Sequence, residues 1–528
     1  MHEHRLSYAA TGRFSPVVLD HLANDPFLRA FLEWPPTLEG LRTAAAGRTF
    51  PLQARGVLCT ALEKQHAGLE LHPAVRANLD LLRKENCLTV TTGHQLCLFT
   101  GPLYVPYKIV NAIRLARQAT EALEQPVVPV FWMASEDHDV AEVDHAFING
   151  QKVQWTGVST GAVGRMPLTG IRAVVEQAVG LLGDGPSAGE IASALRTCYT
   201  EDRTLAEATR RFVHELFGHL GLVIVDGDDP ALKRLFAPVI LEELVNQVTE
   251  RTVRYADERI KERYAVQAHA REINLFHLRP GHRSRITRDR DHYLVQDGGP
   301  RWTLDELLIE AQVRPQDFSP NVLLRPVYQE TVLPNIAYIG GGGELAYWIQ
   351  LRWLFQGLRV PMPVVILRTS AADISSKHLR QWEELGLTRT DLFAPLDVLK
   401  ARVARERSSF STSLEDERQR LATIYRELAD RAASIDLSLR GAVEAQRVRA
   451  MRGTDRLEQG LLRAAKREQE TALRRMDAVH AALFPNGELQ ERRDNILPLL
   501  ANKGKHGWDR LIDVLDPLRH EFTLIEEQ

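Results

Sequence analysis

Apolar residues follow two different rhythms along this chain, and the alternation predicts its architecture. Over residues 1 to about 85 they recur every three or four positions, as in FSPVVLDHLAND and FLRAFLEWPP, which predicts helices interrupted at Pro35 and Pro36. Residues 88–92 and 127–133 are short continuous runs instead, the second (VVPVFWM) held between Pro126 and an acidic cluster. Such runs are expected of strands buried on both faces. With a helical pattern over 104–118 between them they form a βαβ unit, whose crossover is right-handed.

The strand signature returns four more times. GLVIVD ends on Asp226, with Asp228 and Asp229 just beyond; further strands are predicted near 322–324 and 336–339, and within PMPVVILRTS, with Arg368, Thr369 and Ser370 at its exit. Between these lie a small β insertion at about 147–170, helix over 171–220, helix to about 266, and a hairpin-like segment at 273–299 where apolar and charged residues alternate. The fold class is therefore α/β. A Rossmann-type nucleotide-binding core, a parallel sheet flanked by helices, is expected over 1–398, with N-terminal helices and insertions at about 147–220 and 250–318.

From 399 to 484 the pattern changes to long, glycine-poor, arginine-rich helix. Leu414, Leu421, Leu428 and Ile435 stand seven apart, and Leu457, Leu461, Ala464, Met476, Val479 and Leu483 follow at spacings of three and four. This predicts an all-α antiparallel coiled-coil domain broken near 434–441. Residues 485–528, opening on Pro485-Asn486-Gly487, are expected to form a helical tail that packs back on the core.

Composition narrows the setting. A hydrophobic content of 44% and a charged content of 26% are those of a packed globular protein, and a net charge of −3 argues against a surface-wide field for nucleic acid. The arm's arginines alternate with glutamates, the pattern of a solvated coiled coil, so no nucleic-acid partner is expected. No run of 18 apolar residues, no secretory leader and only four scattered cysteines are present, so no membrane partner and a cytoplasmic location are expected. The cysteines read as ordinary buried thiols.

Three stretches carry candidate chemistry. TTGHQ places Gly93, His94 and Gln95 at a strand-to-helix turn, where backbone N–H groups can face an anion. Glu136, Asp137, His138 and Asp139 follow an apolar strand directly; four adjacent ionisable groups repel one another unless a ligand or a wet cleft compensates. They suit holding an ammonium or a sugar. They do not suit a metal, because adjacent loop residues seldom all ligate one ion, and no metal is expected. Third, Gly340, Gly341, Gly342 and Gly343 precede Glu344, allowing positive φ and close approach of a ligand to the backbone.

These strings, with SPNVLLRPVYQETVLPNIAYIGGGGELAYW and PNGELQERRDN, resemble the BshC family, to which the cysteine-adding step of bacillithiol biosynthesis is assigned. The resemblance runs from the first helices to the tail. It implies a Rossmann-type core with connecting-peptide insertions, a coiled-coil domain used for homodimerisation, and a ligase that joins cysteine to glucosaminyl-malate. It also implies ATP: TGHQ stands where the first of two ATP-site signatures belongs, and SSKH at 375–378 is a degenerate form of the second. The nucleotide site itself is not located by these motifs.

Amide formation from a carboxylate is uphill in water, so the expected route activates cysteine with ATP before the glucosamine amine attacks. In that scheme Gly93 to Gln95 and Lys108 orient anionic groups. Glu136, Asp137 and Asp139 hold the amino sugar, with Asp137 or His138 as base. Gly341 to Gly343 and Glu344 form the opposite wall, and Arg325 and Arg368 receive the malate carboxylates. Two alternatives are a non-catalytic nucleotide-binding assembly protein and a metal-dependent hydrolase built on the EDHD cluster.

Overall fold

A computed structural model describes residues 2–157, 159–505 and 507–527. Five strands form the central sheet: β1 (Leu88–His94), β2 (Val127–Met133), β3 (Val223–Asp226), β4 (Asn335–Gly340) and β5 (Val364–Leu367). They lie in the order β5-β4-β1-β2-β3 and every pairing is parallel. This order reverses direction between β1 and β4, the place where open α/β sheets bind ligands beyond their carboxyl ends. All seven side chains of β2 are buried, as its unbroken apolar run requires. The helix Tyr104–Leu123 makes the crossover from β1 to β2, and twelve of its residues are buried against the sheet and its neighbours.

Two predicted elements take another form. Residues 322–324 are not a strand: Asn321 accepts backbone N–H bonds from Leu323 and Leu324 through Oδ1, starting the helix Leu324–Val332. A side-chain cap that satisfies those donors outweighs the weak β preference of a three-residue apolar run. The ends of the chain are not wholly helical either. His2–Ser7 and Glu521–Glu527 pair antiparallel, and Ala371–Ser375 joins Glu521–Glu527 in parallel, making a three-stranded sheet. Ser375 to His378, the degenerate ATP signature, thus spans the end of this second sheet's strand and the first turn of the helix that follows. There Ser375 caps the helix Ser376–Glu383, and the Ser376 hydroxyl donates to Glu526 at 2.7 Å.

Two further β units stand outside the central sheet. His145–Ile148 and Gln151–Gln154 are a hairpin, and Leu275–Arg279, His282–Asp289, His292–Val295 and Arg301–Trp302 build a meander closed by Phe318–Pro320. The arm is an antiparallel pair, Glu415–Ile435 and Leu439–Glu468, followed by Glu470–Leu483. Arg418 crosses between the first two helices to Asp455 at 3.0 Å and Glu458 at 2.7 Å. The residues buried in these two helices are small, Ala429, Thr454 and Ala465, while Leu428 and Ile435 of the seven-residue repeat face solvent. No helix among the described residues is long and apolar enough to cross a membrane, and all four cysteines are buried.

Candidate active site

The exits of β1, β2 and β4 meet at the reversal of strand order, and side chains from each close on a buried cluster. From the crossover helix, Lys108 reaches back to donate to the Gly93 carbonyl at 2.5 Å and to Glu344 at 2.6 Å. Glu344 also accepts from the Tyr338 hydroxyl at 2.5 Å and from the Gly341 N–H at 2.9 Å. Burial by itself would raise the Glu344 pKa, but Lys108, Tyr338 and Gly341 outweigh it and hold it at about 2. Lys108 is 1% exposed, and burial lowers its pKa although Glu344 opposes the shift. Lys108 is thus committed to an internal ion pair instead of standing free to meet an anion.

Two of the four glycines, Gly340 and Gly342, act by space. None of Gly340 to Gly343 has positive φ, contrary to the sequence expectation. A Cβ at Gly340 would stand 3.2 Å from the Glu344 Cβ, and one at Gly342 would stand 3.0 Å from Val18. Their missing side chains let the helix Gly342–Trp348 start against the strand, which brings Glu344 under Lys108.

His94, at the end of β1, is half-buried and held neutral: desolvation and the nearby Lys108 lower its pKa to about 4. Its Nε2 lies 3.0 Å from the Tyr104 hydroxyl and its Nδ1 3.2 Å from the Gln95 carbonyl. Just beyond, Phe99, Thr100 and Gly101 all have positive φ, a turn that costs on the order of 1–2 kcal/mol for each non-glycine residue. Asn495, from the tail, holds it by donating to the Phe99 carbonyl at 3.0 Å and the Gly101 carbonyl at 2.7 Å.

At the end of β2 the four ionisable residues divide instead of converging. Glu136 turns inward to an ion pair with Lys233, which is fully buried and donates to the Phe318 carbonyl at 2.7 Å. Burial raises the Glu136 pKa and Lys233 opposes the rise. Asp137 turns toward the cleft, where Gln95 donates to its Oδ2 at 2.6 Å, the His138 N–H to its Oδ1 at 2.8 Å, and Arg283 stands 3.5 Å away. Burial works against its charge. His138, Arg283 and Gln95 nevertheless hold it well below the usual carboxylate range. His138 and Asp139 are exposed. Among the described residues these four side chains form no group of three ligands around one point.

Arg283 is the residue that sequence reasoning missed. It comes from the β meander and lies 4.0 Å over the Phe276 ring. Its guanidinium donates to the Pro320 carbonyl at 2.9 Å, the Ser319 hydroxyl at 3.1 Å and His138 Nδ1 at 2.8 Å. A guanidinium can only donate, so it occupies His138 Nδ1 and that nitrogen is not free to act as a base. Asp137 holds its proton too weakly for that task as well. Besides Glu136, which is paired with Lys233, Glu142 also has a raised pKa, shifted by partial burial and by the charges of Asp139 and Asp137.

The two arginines assigned to malate carboxylates differ. Arg325 donates to Gln329 at 3.1 Å and Tyr347 at 3.4 Å and lies 5.5 Å from the centre of the Tyr338 ring, bordering the Glu344 wall. Arg368 is corrected: its guanidinium is buried and binds both oxygens of Glu491, at 2.8 and 2.7 Å. A bidentate partner from the tail already fills the fork that a ligand carboxylate would take.

Comparison with known proteins decides the family. Residues 1–369 match the bacillithiol biosynthesis BshC N-terminal Rossmann-like domain, and residues 373–527 match the BshC C-terminal coiled-coil domain. The chain belongs to the BshC family. Among its relatives, a protein of Flavobacterium johnsoniae named "Putative cysteine ligase BshC" is 36% identical over 523 residues, covering 98% of this chain and 99% of that one. Proteins of the same name from Cytophaga hutchinsonii and Geobacillus kaustophilus are 34% and 30% identical, over 96% and 89% of this chain and 95% and 90% of theirs. A solved structure titled as an arginyl-tRNA synthetase from Campylobacter jejuni covers 88% of this chain and 98% of its own at 11% identity, with a TM-score of 0.25, too loose a likeness to bear on fold or function.

Proposed function

We propose that this chain is a ligase of bacillithiol biosynthesis that joins L-cysteine to the glucosamine amine of glucosaminyl-malate as an amide, with the cysteine carboxylate activated by ATP. The observation that carries the reading is the placement of an ionised, half-buried carboxylate, Asp137, at the strand-order reversal of a BshC-family core. In this reading Asp137 and Asp139 hold the substrate ammonium, and Gln95 and Arg283 fix Asp137. Glu142 takes the proton that the amine must lose, since its raised pKa favours proton uptake. Gly341, Gly343 and Arg325 border the substrate opposite, with Lys108 and Glu344 as the rigid floor. The exposed Leu428, Ile435 and Leu457 of the arm support a homodimer formed along that face.

The test is direct. Purified protein given glucosaminyl-malate, cysteine and ATP is expected to yield bacillithiol with AMP, followed by mass spectrometry; absence of the thiol product with any nucleotide would sink the reading. Activity is expected to fall on the acid side as Glu142 becomes protonated. Glu142→Gln should lower kcat by roughly 100-fold, the scale of a lost general base, and flatten that acid limb. An unchanged limb in the variant would remove Glu142 from the proton transfer.

A further inference from the structure

The β meander holds a side-chain cluster that the proposed reaction leaves unused. His277 lies mid-strand in Leu275–Arg279, in register with Phe318. It is 5% exposed, yet neither ring nitrogen meets a hydrogen-bond partner. Buried polar atoms in folded proteins nearly always find one. The ring cannot readily turn away, because Trp302 and Phe318 contact it with centroids 5.2 and 5.7 Å distant, both steeply inclined. Glu310, from the helix Leu304–Val313, and Asp317, from the turn Pro315–Asp317, face it: the three potential ligand atoms lie within 4.8 Å of one another.

We infer that His277, Glu310 and Asp317 form a binding site for a divalent transition-metal ion of the zinc type. An imidazole with two carboxylates is a donor set that zinc accepts, with a fourth position for water. Each ligand moves inward by roughly half an ångström to reach bond lengths of about 2.0–2.2 Å. Arg314 presently takes one oxygen of each acid, Asp317 Oδ2 at 2.6 Å and Glu310 Oε1 at 3.7 Å, leaving the other oxygen of each for an ion. Its side chain is 57% exposed, so it can remain as an outer partner or withdraw into water. Arg279 adds positive charge near the same imidazole. The imidazole, more than the charge, selects the ion: Mg²⁺ and Ca²⁺ take oxygen ligands, whereas zinc-type ions also bond nitrogen. The bound ion would pin the meander that delivers Arg283 to the cleft, although the site stands independently of the ligase reading.

Metal content tests it. Untagged full-length protein is stripped with chelator, mixed with Zn²⁺, desalted and measured by mass spectrometry for zinc per chain, alongside His277→Ala, Asp317→Asn and Arg314→Ala. His2 and His4 near the amino terminus are common to all four proteins, so the difference between them is the quantity read. Wild type and Arg314→Ala are expected to retain zinc that His277→Ala and Asp317→Asn lose, and Co²⁺ in place of Zn²⁺ should give a visible ligand-field spectrum only in the first two. Should His277→Ala fail to fold, the near-isosteric Asp317→Asn decides. Equal zinc in wild type and Asp317→Asn, or none in wild type, overturns the site.

Discussion

Asp137→Asn is expected to lower kcat/KM for glucosaminyl-malate by roughly 100-fold in a protein that still folds, with a lowered melting temperature. Charge-assisted hydrogen bonds are worth about 1.5–3 kcal/mol each, and this carboxylate is ringed by donors, Gln95, the His138 N–H and Arg283. An asparagine presents one oxygen where two are used and turns an N–H toward groups that themselves donate. Its side chain is nearly isosteric, so the fold should survive. The form of the loss discriminates further. A group that holds an ammonium raises KM for the amino sugar and leaves the pH profile in place, whereas a base shifts the acid limb. Turnover within a few-fold of wild type would remove Asp137 from substrate binding.

The core was legible because its strands announce themselves locally. VVPVFWM and VVIL are unbroken apolar runs, and a strand buried on both faces has no other economical sequence. The terminal sheet was not legible for the opposite reason. HEHRLS and EFTLIEE are short, mixed in polarity and 514 or more residues apart in sequence, so their pairing is fixed only by tertiary contact. The strand predicted at 322–324 failed on a single side chain, since the capping role of Asn321 is invisible to a three-residue apolar count.

The site divides along the same line. Gly93 to Gln95 and Glu136 to Asp139 could be found because each follows its strand directly, and the sheet brings them together. What those groups do depends on partners far away in sequence: Arg283 stands 146 residues from Asp137, and Glu491 lies 123 from Arg368. Without Glu491, Arg368 reads as a carboxylate receptor. Without Arg283, His138 reads as a base. The His277 cluster carries no recognisable spacing, because its three residues come from a strand, a helix and a turn.

Lys108→Met is expected to destabilise the fold by about 3 kcal/mol, because it removes the buried cation paired with the half-buried Glu344 carboxylate. The double variant Lys108→Met, Glu344→Gln should recover most of that loss. Two apolar or neutral groups of similar shape often match a buried ion pair, whose attraction only offsets the cost of taking two charges out of water. Urea unfolding of wild type, both single variants and the double variant reads the coupling directly. The pH dependence carries a definite sign. Glu344 has a folded pKa of about 2, below its ordinary 4.5, so the stability it contributes is fully present above pH 4.5 and fades as pH falls toward 2. The gap between wild type and Glu344→Gln should therefore narrow by about 2 kcal/mol between pH 7 and pH 3. Lys108 works against this gain, since its lowered pKa marks a charge held at a cost. If Lys108→Met unfolds at the same urea concentration as wild type, or the double variant is weaker than the sum of the singles, the pair is not the floor of the cleft. Its position would then have to be set by the glycines and Tyr338 alone.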